Sequence, residues 1–356
     1  MKTKTITKSL PVQGANSPSK QLDDLRQVLK KMDDINGRLQ KAESILRERE
    51  NAHREYLEAV DNIRESNIAD VVTNKSEDVL SIKWTEILGL SGFEECRRAE
   101  IVIPGSWISP KLFAMSDQQL GHISCDEARL IKDIQWTKSH PEVLAVLLGD
   151  GIDSATKTSP GSLRDNKEPP LRQIERFSTL HEPIADQIIG MVGGNHERRI
   201  DKALDEPGGA LRLIAKNLNS FSKAKHKIPY SSGVLLLDIY WKGHLWTVTL
   251  FHGAGAAQSY GGQVQRMQKN LLLTDSLITL TGHLHNENKT SRRFVHRNMD
   301  GTLGVVKQTS LQCGTYLKYL GSYGEVAGMN PTGPDMVLIE FFPDGRYIDR
   351  FKGEGV

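Results

Sequence analysis

The sequence has 356 residues, 38% of them hydrophobic, which is enough for one large domain with an appendage or for two domains. The formal net charge is only +2, so overall charge gives no argument for a nucleic-acid or membrane partner. Its three cysteines, Cys96, Cys125 and Cys313, lack CxxC spacing, which argues against a disulfide framework or a cysteine zinc site. There is neither an apolar signal region at the N-terminus nor a run of about 18 apolar residues, so we expect a soluble, cytoplasmic protein without a membrane partner.

The N-terminal region has two predicted parts. Residues 1–19 are polar and contain Pro, Gly and Ser, so we predict that they are disordered. Residues 20–75 are predicted to form a helical, coiled-coil extension through which the chain could form a homo-oligomer, because apolar residues recur there at three- and four-residue steps: Leu22, Leu25, Leu29, Met32, Leu39 and Leu46. Asn36-Gly37 is also a turn signal, so two antiparallel helices and a solvated stalk without a partner stay open.

Five short apolar runs after residue 98 are each followed by polar side chains. The runs are KLFAM, VLAVLL, QIIGMVGG, LWTVTLF and SLITLTG, and we predict that each is a buried strand. In layered α/β proteins, ligands bind in the crevice beyond the carboxyl ends of the strands. The polar residues at these ends are Asp117 and Gln119, Asp150 and Asp153, Asn195 and His196, His252, and His283 and His285.

The residue types in these five clusters indicate a metal site. Carboxylate, amide oxygen and imidazole are ligands of zinc, manganese and ferrous iron, and none of the clusters contains cysteine. Two ions about 3.5–4 Å apart can clamp the attacking and leaving oxygens of a phosphoryl displacement, and a metal-bound water has a pKa of about 7. A histidine that does not bind metal could then protonate the leaving group.

The order of the motifs, Asp-x-Gln, Gly-Asp-x-x-Asp, Gly-Asn-His-Glu, His-Gly and Gly-His-x-His, resembles the calcineurin-like metallophosphoesterases over residues 110–290. The resemblance implies an α/β fold in which two packed mixed β-sheets are flanked by helices, here forming a domain over residues 98–356. It implies that Asp117 and His285 bind a first metal ion and that Asp150 bridges two ions. Asn195, His252 and His283 would bind the second ion. His196 would be the unligated acid, and Asp153 would hydrogen-bond it and hold its tautomer.

Gln119 departs from the family pattern, which usually has His at this position. A Gln oxygen is a weaker ligand than imidazole for zinc or iron, so we predict a first ion that is looser, more exchangeable or biased toward manganese. A role for His122 in its place, a site with one ion, and a fold that has lost catalysis stay open. We expect two divalent ions, Mn²⁺ first, with Zn²⁺, Fe²⁺ and Ni²⁺ as alternatives.

Several neighbouring residues are open to two interpretations. Arg198 and Arg199 could bind a substrate phosphate, or they could form a solvated helix face. We interpret Glu197 as a favourable acidic residue in a first helical turn and Cys125 as structural. The basic segment SRRFVHR, residues 291–297, could line a groove for a polyanion or be a solvated surface.

From these observations we expect a metal-dependent phosphoesterase in which a metal-activated water attacks phosphorus in line, and the family resemblance implies that the substrate is a phosphodiester in a nucleotide or nucleic acid. The alternatives are a phosphomonoesterase or protein phosphatase, and a non-catalytic, metal-bound interaction module. Residues 312–341 are weakly similar to bacteriophage phosphoesterases, for which the location would be the host cytoplasm.

Overall fold

The structure is a computed structural model that describes residues 79–353, except 86, 89–93, 156–162, 205–208, 225, 258, 298–300, 327, 329 and 332, together with Gly37, Gln40 and Arg47. The chain divides into two compact units, Met1–Val71 and Val72–Val356. In the first unit the three described residues are helical. The predicted disordered segment 1–19 and the rest of the predicted extension 20–75 lie outside the described residues.

The second unit alternates strands and helices along the chain. Its strands are β1 (Ser81–Trp84), β2 (Ile87–Leu88), β3 (Glu94–Glu95), β4 (Arg98–Val102), β5 (Lys111–Met115), β6 (Val143–Leu147), β7 (Ile188–Val192), β8 (Tyr230–Ser231), β9 (Val234–Trp241), β10 (His244–Phe251), β11 (Ile278–Thr281), β12 (Asn288–Arg297), β13 (Leu303–Gln312), β14 (Met336–Phe341) and β15 (Tyr347–Lys352). Its helices are α1 (Glu127–Ser139), α2 (Pro170–His181), α3 (Asn195–Leu204), α4 (Gly209–Phe221), α5 (Tyr260–Asn270) and α6 (Tyr323–Val326), with 3₁₀ turns at Leu163–Asp165 and Glu182–Gln187.

Two mixed sheets form the frame of this unit. The seven-stranded sheet has the order β1-β4-β9-β10-β11-β13-β12, and the six-stranded sheet has the order β15-β14-β5-β6-β7-β8. Strands β5, β6 and β7 run parallel to one another, as do β10 and β11, whereas β14 and β15 are antiparallel. Helix α1 packs against β6 of one sheet and α5 against β12 and β13 of the other. The predicted α/β class, two packed mixed sheets flanked by helices, is therefore confirmed. The first strand of the seven-stranded sheet, β1, lies before residue 98, where the domain was predicted to begin.

The hydrophobic core lies between the two sheets. Every residue of β7 is buried, as expected for a strand covered on both faces. Gly190 in the middle of β7 faces Leu235, Leu237 and Leu250 of the other sheet so closely that an added methyl group would lie 2.9 Å from Leu250 Cδ1. Glycine at this position lets the two sheets approach.

All five strands predicted from the apolar runs are present. The runs correspond to β5, β6, β7, β10 and β11. The first three are parallel neighbours in the six-stranded sheet, and the last two are parallel neighbours in the seven-stranded sheet. The polar residues that follow them are therefore delivered to one edge of each sheet. None of the described helices has the length and apolar character to cross a bilayer.

Candidate metal centre

Four of the predicted ligands form one group at the ends of β6, β7, β10 and β11. His252 Nε2 lies 3.1 Å from Asp150 Oδ2 and 3.1 Å from Asn195 Oδ1. One ligand atom each from Asp150, His252 and His283 lie within 4.8 Å of one another. Carboxylate and imidazole atoms at this separation can be bridged by one cation, so these residues form a candidate metal site.

The remaining three predicted ligands form a second group. Asp117 Oδ1 lies 3.1 Å from His285 Nε2, and the side-chain nitrogen of Gln119 lies 3.1 Å from the same His285 atom. Coordination by Gln119 would use its oxygen, so the amide would turn over relative to this arrangement.

Short hydrogen bonds join the two groups. The backbone N–H of His283 donates to Asp117 Oδ2 at 2.8 Å, and the N–H of Gln119 donates to the carbonyl oxygen of Asp150 at 2.9 Å. Each group thus contributes a hydrogen bond to the other. All seven residues predicted as ligands from positions 117 to 285 lie in one cluster.

The backbone is strained at most of these positions. Among the described residues, positive φ angles occur at five of the seven predicted ligands: Asp117 (49°), Gln119 (44°), Asp150 (50°), His283 (74°) and His285 (59°). Residues other than glycine rarely adopt this region, and such conformations cost about 1–3 kcal/mol each. They persist where the surrounding structure determines them, which here is the edge where two sheets meet.

Two glycines allow the backbone to approach the carboxylates. A Cβ atom at Gly194 would overlap Asp150 Oδ1 and the Asp150 backbone nitrogen. A Cβ atom at Gly282 would overlap Ser116 Oγ and Asp117 Oδ2. The glycines in the Gly-Asn-His-Glu and Gly-His-x-His motifs therefore leave space for the two carboxylates.

The donor set fits divalent cations. Asp117 is fully buried, and its Oδ1 accepts no hydrogen bond of acceptable geometry from the described residues, although His285 Nε2 is near. A buried carboxylate oxygen in this state suits a cation as its partner. Two carboxylates, two amide groups and three imidazoles, with no thiolate among them, match manganese, zinc or ferrous iron.

The imidazole rings are oriented by backbone carbonyls. His252 Nδ1 lies 2.7 Å from the oxygen of Leu148, and His283 Nε2 lies 2.9 Å from the oxygen of Gly255. A ring nitrogen that donates to a carbonyl leaves the other nitrogen free to bind a metal. These contacts select Nε2 of His252 and Nδ1 of His283 as the ligand atoms.

The cluster is electrostatically coupled. Burial opposes ionisation of Asp150, but the neighbouring His196 and His252 outweigh burial and hold the pKa of Asp150 far below its usual range. Burial also lowers the pKa of His252, but Asp150 outweighs it and raises that pKa to about 10. The Asp150 carboxylate and the His252 imidazole thus stabilise each other's charged forms.

His196, the predicted acid, stands beside the cluster. Its backbone N–H donates to Asp150 Oδ1 at 2.8 Å, and its ring Nε2 lies 3.6 Å from Asp150 Oδ2. Nδ1 lies 2.5 Å from the backbone oxygen of Asp153 and 3.4 Å from the Asp153 carboxylate. The predicted Asp153 contact is therefore present, but its shortest component is the backbone carbonyl. Burial lowers the pKa of His196, but Asp150 and Asp153 outweigh it, and the pKa is raised.

The sequence interpretation of Glu197 as a favourable first-turn residue missed its structural role. It lies in the first turn of α3, as expected, but its carboxylate is buried and accepts the backbone N–H groups of Asp150, Gly151 and Gly194 at 3.0, 2.8 and 2.9 Å. It fixes the loop after β6 to the loop after β7, and thereby positions Asp150. The signal in the sequence was its place as the last residue of the Gly-Asn-His-Glu motif.

Three further residues around His196 and Asp153 were not found from the sequence. Asn166 Nδ2 donates to Asp153 Oδ2 at 2.7 Å, and Gln173 Nε2 donates to Asn166 Oδ1 at 2.6 Å. Ser154 Oγ donates to the backbone oxygen of His196 at 2.5 Å. They form a hydrogen-bonded frame for the acid, and no motif or spacing marks them.

The two predicted phosphate-binding arginines differ in placement. Arg198 is exposed, and its Nη2 donates to the backbone oxygen of Ser232 at 2.8 Å. Arg199 is half-buried, with Nη1 3.1 Å from His196 Nδ1. Of the two, Arg199 is the one that the structure places next to a predicted catalytic residue.

His122 and Cys125 lie near the site, and the charge of His122 is one of the influences that lower the pKa of Asp153. The Nδ1 atom of His122 accepts the backbone N–H of Ser124 at 3.0 Å, so this atom has a structural partner. Burial raises the pKa of the Cys125 thiol to about 12, and its Sγ donates to the Gln118 carbonyl oxygen. The structural role predicted for Cys125 is confirmed.

The chain has low similarity to solved structures. No protein-family model and no curated protein sequence matches it. A predicted phosphoesterase from Streptococcus pneumoniae is 11% identical, with a TM-score of 0.28 over 69% of this chain and 100% of that one. GAP50, the anchor in the inner membrane complex of Plasmodium, is 9% identical, with a TM-score of 0.38 over 70% and 86%. Zinc-complexed Vps29 from Entamoeba histolytica is 12% identical, with a TM-score of 0.31 over 68% and 98%. At these values the likeness assigns no activity, substrate or partner to this chain.

Proposed function

We propose that this chain is a metal-dependent phosphoesterase of the calcineurin-like type, which hydrolyses a phosphodiester in a nucleotide or nucleic acid. The observation that carries the proposal is the position of Asp150. Its Oδ2 lies 3.1 Å from His252 of one ligand group, its backbone oxygen accepts the N–H of Gln119 from the other, and its Oδ1 accepts the N–H of the predicted acid His196. Two ligand groups and a proton donor thus meet at one residue, Asp150, the second group through its backbone oxygen.

The residues divide into two cation sites. Asp117, Gln119 and His285 would hold one ion, Asn195, His252 and His283 would hold the other, and Asp150 would contact both. We propose two divalent ions, with Mn²⁺ favoured because two carboxylates and two amides supply hard oxygen ligands. When bound, such ions supply Lewis acidity and a water molecule of lowered pKa.

The chain itself supplies the proton and positions it. His196 is held through Nδ1 by the Asp153 backbone oxygen, which leaves Nε2 directed toward Asp150 and the ligand cluster. Its raised pKa keeps the ring protonated nearer to neutral pH, as a donor to a leaving alkoxide requires. Arg199 places a second positive charge beside this ring, and we propose that its guanidinium binds a phosphate oxygen of the substrate.

A comparison of two chromogenic substrates tests the proposal. With Mn²⁺ present, we expect faster hydrolysis of bis-p-nitrophenyl phosphate than of p-nitrophenyl phosphate. The reverse preference would favour the phosphomonoesterase or protein phosphatase alternative. His196→Ala should lose turnover while retaining its metal content. No hydrolysis by the wild-type protein, with metal retained, would favour the non-catalytic interaction module.

We also propose homo-oligomerisation through residues 20–75. The apolar periodicity supports it, and the described positions Gly37, Gln40 and Arg47 are helical. Light scattering on the full chain and on residues 76–356 tests it. A larger mass for the full chain alone is expected, and two monomers would contradict the proposal.

A further inference from the structure

The hairpin formed by β12 and β13 carries a cationic surface that the metal centre does not use. Within these two strands there is no Asp or Glu, but there are five cations: Lys289, Arg292, Arg293, Arg297 and Lys307. Strand β12 is the edge of the seven-stranded sheet, and β13 pairs with it in antiparallel register. The two strands thus form a ribbon at the border of the fold in which every Asp, Glu, Lys or Arg position is a cation, although Asp300 lies in the segment that joins them.

One face of the distal half of the ribbon is exposed. Arg293 lies directly opposite Lys307, and Val295 directly opposite Val305, so these four side chains share a face. Val295 and Val305 are 66% and 69% exposed, and Arg293 and Lys307 are exposed as well. The opposite face differs, because Gln308 is buried there and donates to the carbonyl oxygen of Ser276 at 2.9 Å.

The pairing of Arg293 with Lys307 is unfavourable within the chain itself. Like charges directly opposite each other destabilise an antiparallel pair. In the part of the chain that the structure describes, neither side chain forms an ion pair with a carboxylate. Lys289, at the base of the ribbon, contrasts with them, since it pairs with Asp349 at 2.6 Å. An anionic ligand lying on the distal face would relieve this repulsion.

We propose that this face binds the phosphate backbone of duplex nucleic acid and that the bound duplex extends to the metal centre. The major groove of duplex DNA admits a two-stranded β-ribbon, and Lys and Arg neutralise its phosphates. Exposed valines between the cations suit contact with the apolar methyl group of thymine. This inference rests on the proposed function only where it makes the bound duplex the substrate.

The position of the ribbon sets a length for the ligand. Asn288 starts β12 three residues after the predicted ligand His285, and β13 returns to the same end, where the N–H of Cys313 donates to the oxygen of Thr281. Arg293 is five residues further along β12, which is about 17 Å at about 3.4 Å per residue. Base pairs are about 3.4 Å apart along the duplex axis, so about five base pairs correspond to the distance from Asn288, at the metal-centre end of β12, to the cation pair. A mononucleotide could not contact both.

The test compares two variants that lose the same charge. Arg293→Ala/Lys307→Ala removes the cation pair, and Lys132→Ala/Lys138→Ala removes two exposed lysines of α1 as a matched control. Binding of each full-length protein to a fluorescent 20-base-pair DNA duplex is measured by anisotropy at several salt concentrations. We expect the hairpin variant to bind more weakly, with a salt slope about 1.8 lower for two lost phosphate contacts, and the control to match the wild type.

Further measurements separate this inference from the proposed function. If the wild type binds the duplex and the hairpin variant binds it more weakly, but no phosphodiester is hydrolysed, the duplex-binding surface is supported and the proposed function is contradicted. If bis-p-nitrophenyl phosphate is hydrolysed but the hairpin variant and the control variant both bind the duplex like the wild type, the duplex-binding surface is contradicted and the proposed function is not. Binding to phosphatidylglycerol vesicles without binding to duplex would also overturn it. Arg293→Gln/Lys307→Gln, checked by circular dichroism, repeats the comparison should the alanine variant misfold.

Discussion

Asn166 donates a 2.7 Å hydrogen bond from its side-chain amide to Asp153 Oδ2, on the side of the carboxylate that does not face His196. Gln173, fully buried, holds Asn166 in turn and also accepts the backbone N–H of Ser154 at 2.8 Å. The proposed proton donor is therefore fixed at the end of a chain of hydrogen bonds that begins in helix α2.

We expect Asn166→Ala to impair the proposed reaction without removing a group that touches substrate. Burial raises the pKa of Asp153, while hydrogen bonds from His196 and Asn166 outweigh burial and lower it. Loss of the amide should raise this pKa, so the acid limb of the kcat/KM profile should move to higher pH, and kcat/KM should fall by about tenfold. The control is Asn217→Ala, which removes a hydrogen bond from Asn217 in α4 to Ser178 in α2, the helix that also carries Gln173. An unshifted profile would show that Asn166 is only structural.

Gln119 should limit the affinity of the first cation. Replacement by the stronger imidazole ligand in Gln119→His should lower the Kd for Zn²⁺ by about tenfold, or about 1.4 kcal/mol. Gln119→Leu, which keeps the volume but has no ligand atom, should weaken binding of that ion. Isothermal titration calorimetry measures both variants. Equal affinity in all three proteins would mean that Gln119 is not a ligand.

Metal binding should release protons. In the metal-free chain the pKa of His252 is raised to about 10, mainly because Asp150 outweighs the effect of burial. A ligating imidazole must be neutral, so below pH 10 the cation displaces this proton and affinity rises with pH. With one proton displaced, Kd should fall about tenfold per pH unit between pH 6 and pH 8. Titration in buffers of different ionisation enthalpy counts the protons, and a pH-independent Kd would contradict the displacement.

The strands that deliver the ligands were predictable from the sequence because each is a largely apolar run, interrupted only by threonine in β10 and β11, that stops at a glycine or a polar residue. Burial on both faces requires such runs, and it also leaves polar residues at the strand ends free for chemistry. We predicted only from the order of the motifs that the ends of β5, β6 and β7 lie beside the ends of β10 and β11. Periodicity says nothing about which sheet a strand joins.

The supporting residues could not be predicted in the same way. Glu197 binds backbone groups 46 and 47 positions away, and Gln173 acts through Asn166. Such contacts exist only after the chain has folded, and they leave no spacing in the sequence. The positive φ angles at five predicted ligands are likewise set by tertiary structure, since Asp, Gln and His do not prefer this region strongly enough to mark it.

His181 should make the folded chain sensitive to acid. Burial lowers its pKa to about 4, and among the described residues its Nε2 has no hydrogen-bond partner. The folded pKa lies below the unfolded value of about 6.5, so the unfolded chain takes up the proton first, and stability falls as pH drops from about 6.5 to 4. The loss is about 3 kcal/mol across that window. His181→Gln should reduce the loss relative to exposed His140→Gln in urea unfolding at pH 7 and pH 4.5, and equal losses in both variants would contradict this role.

Gly194 should be indispensable for retaining metal. A methyl group there would overlap Asp150 Oδ1, so Gly194→Ala must displace the Asp150 carboxylate, which we propose contacts both ions, or shift the loop that carries Asn195. We expect this variant to lose its bound metal on dialysis, measured by atomic emission, and to lose hydrolysis with it. Gly261→Ala is the matched control, because nothing lies within 4 Å of its added methyl group and it is inside helix α5, where alanine should stabilise the fold by about 0.5–1 kcal/mol. Retention of full metal content by Gly194→Ala would show that the position of Asp150 does not govern binding, and the metal centre proposed around that carboxylate would be wrong.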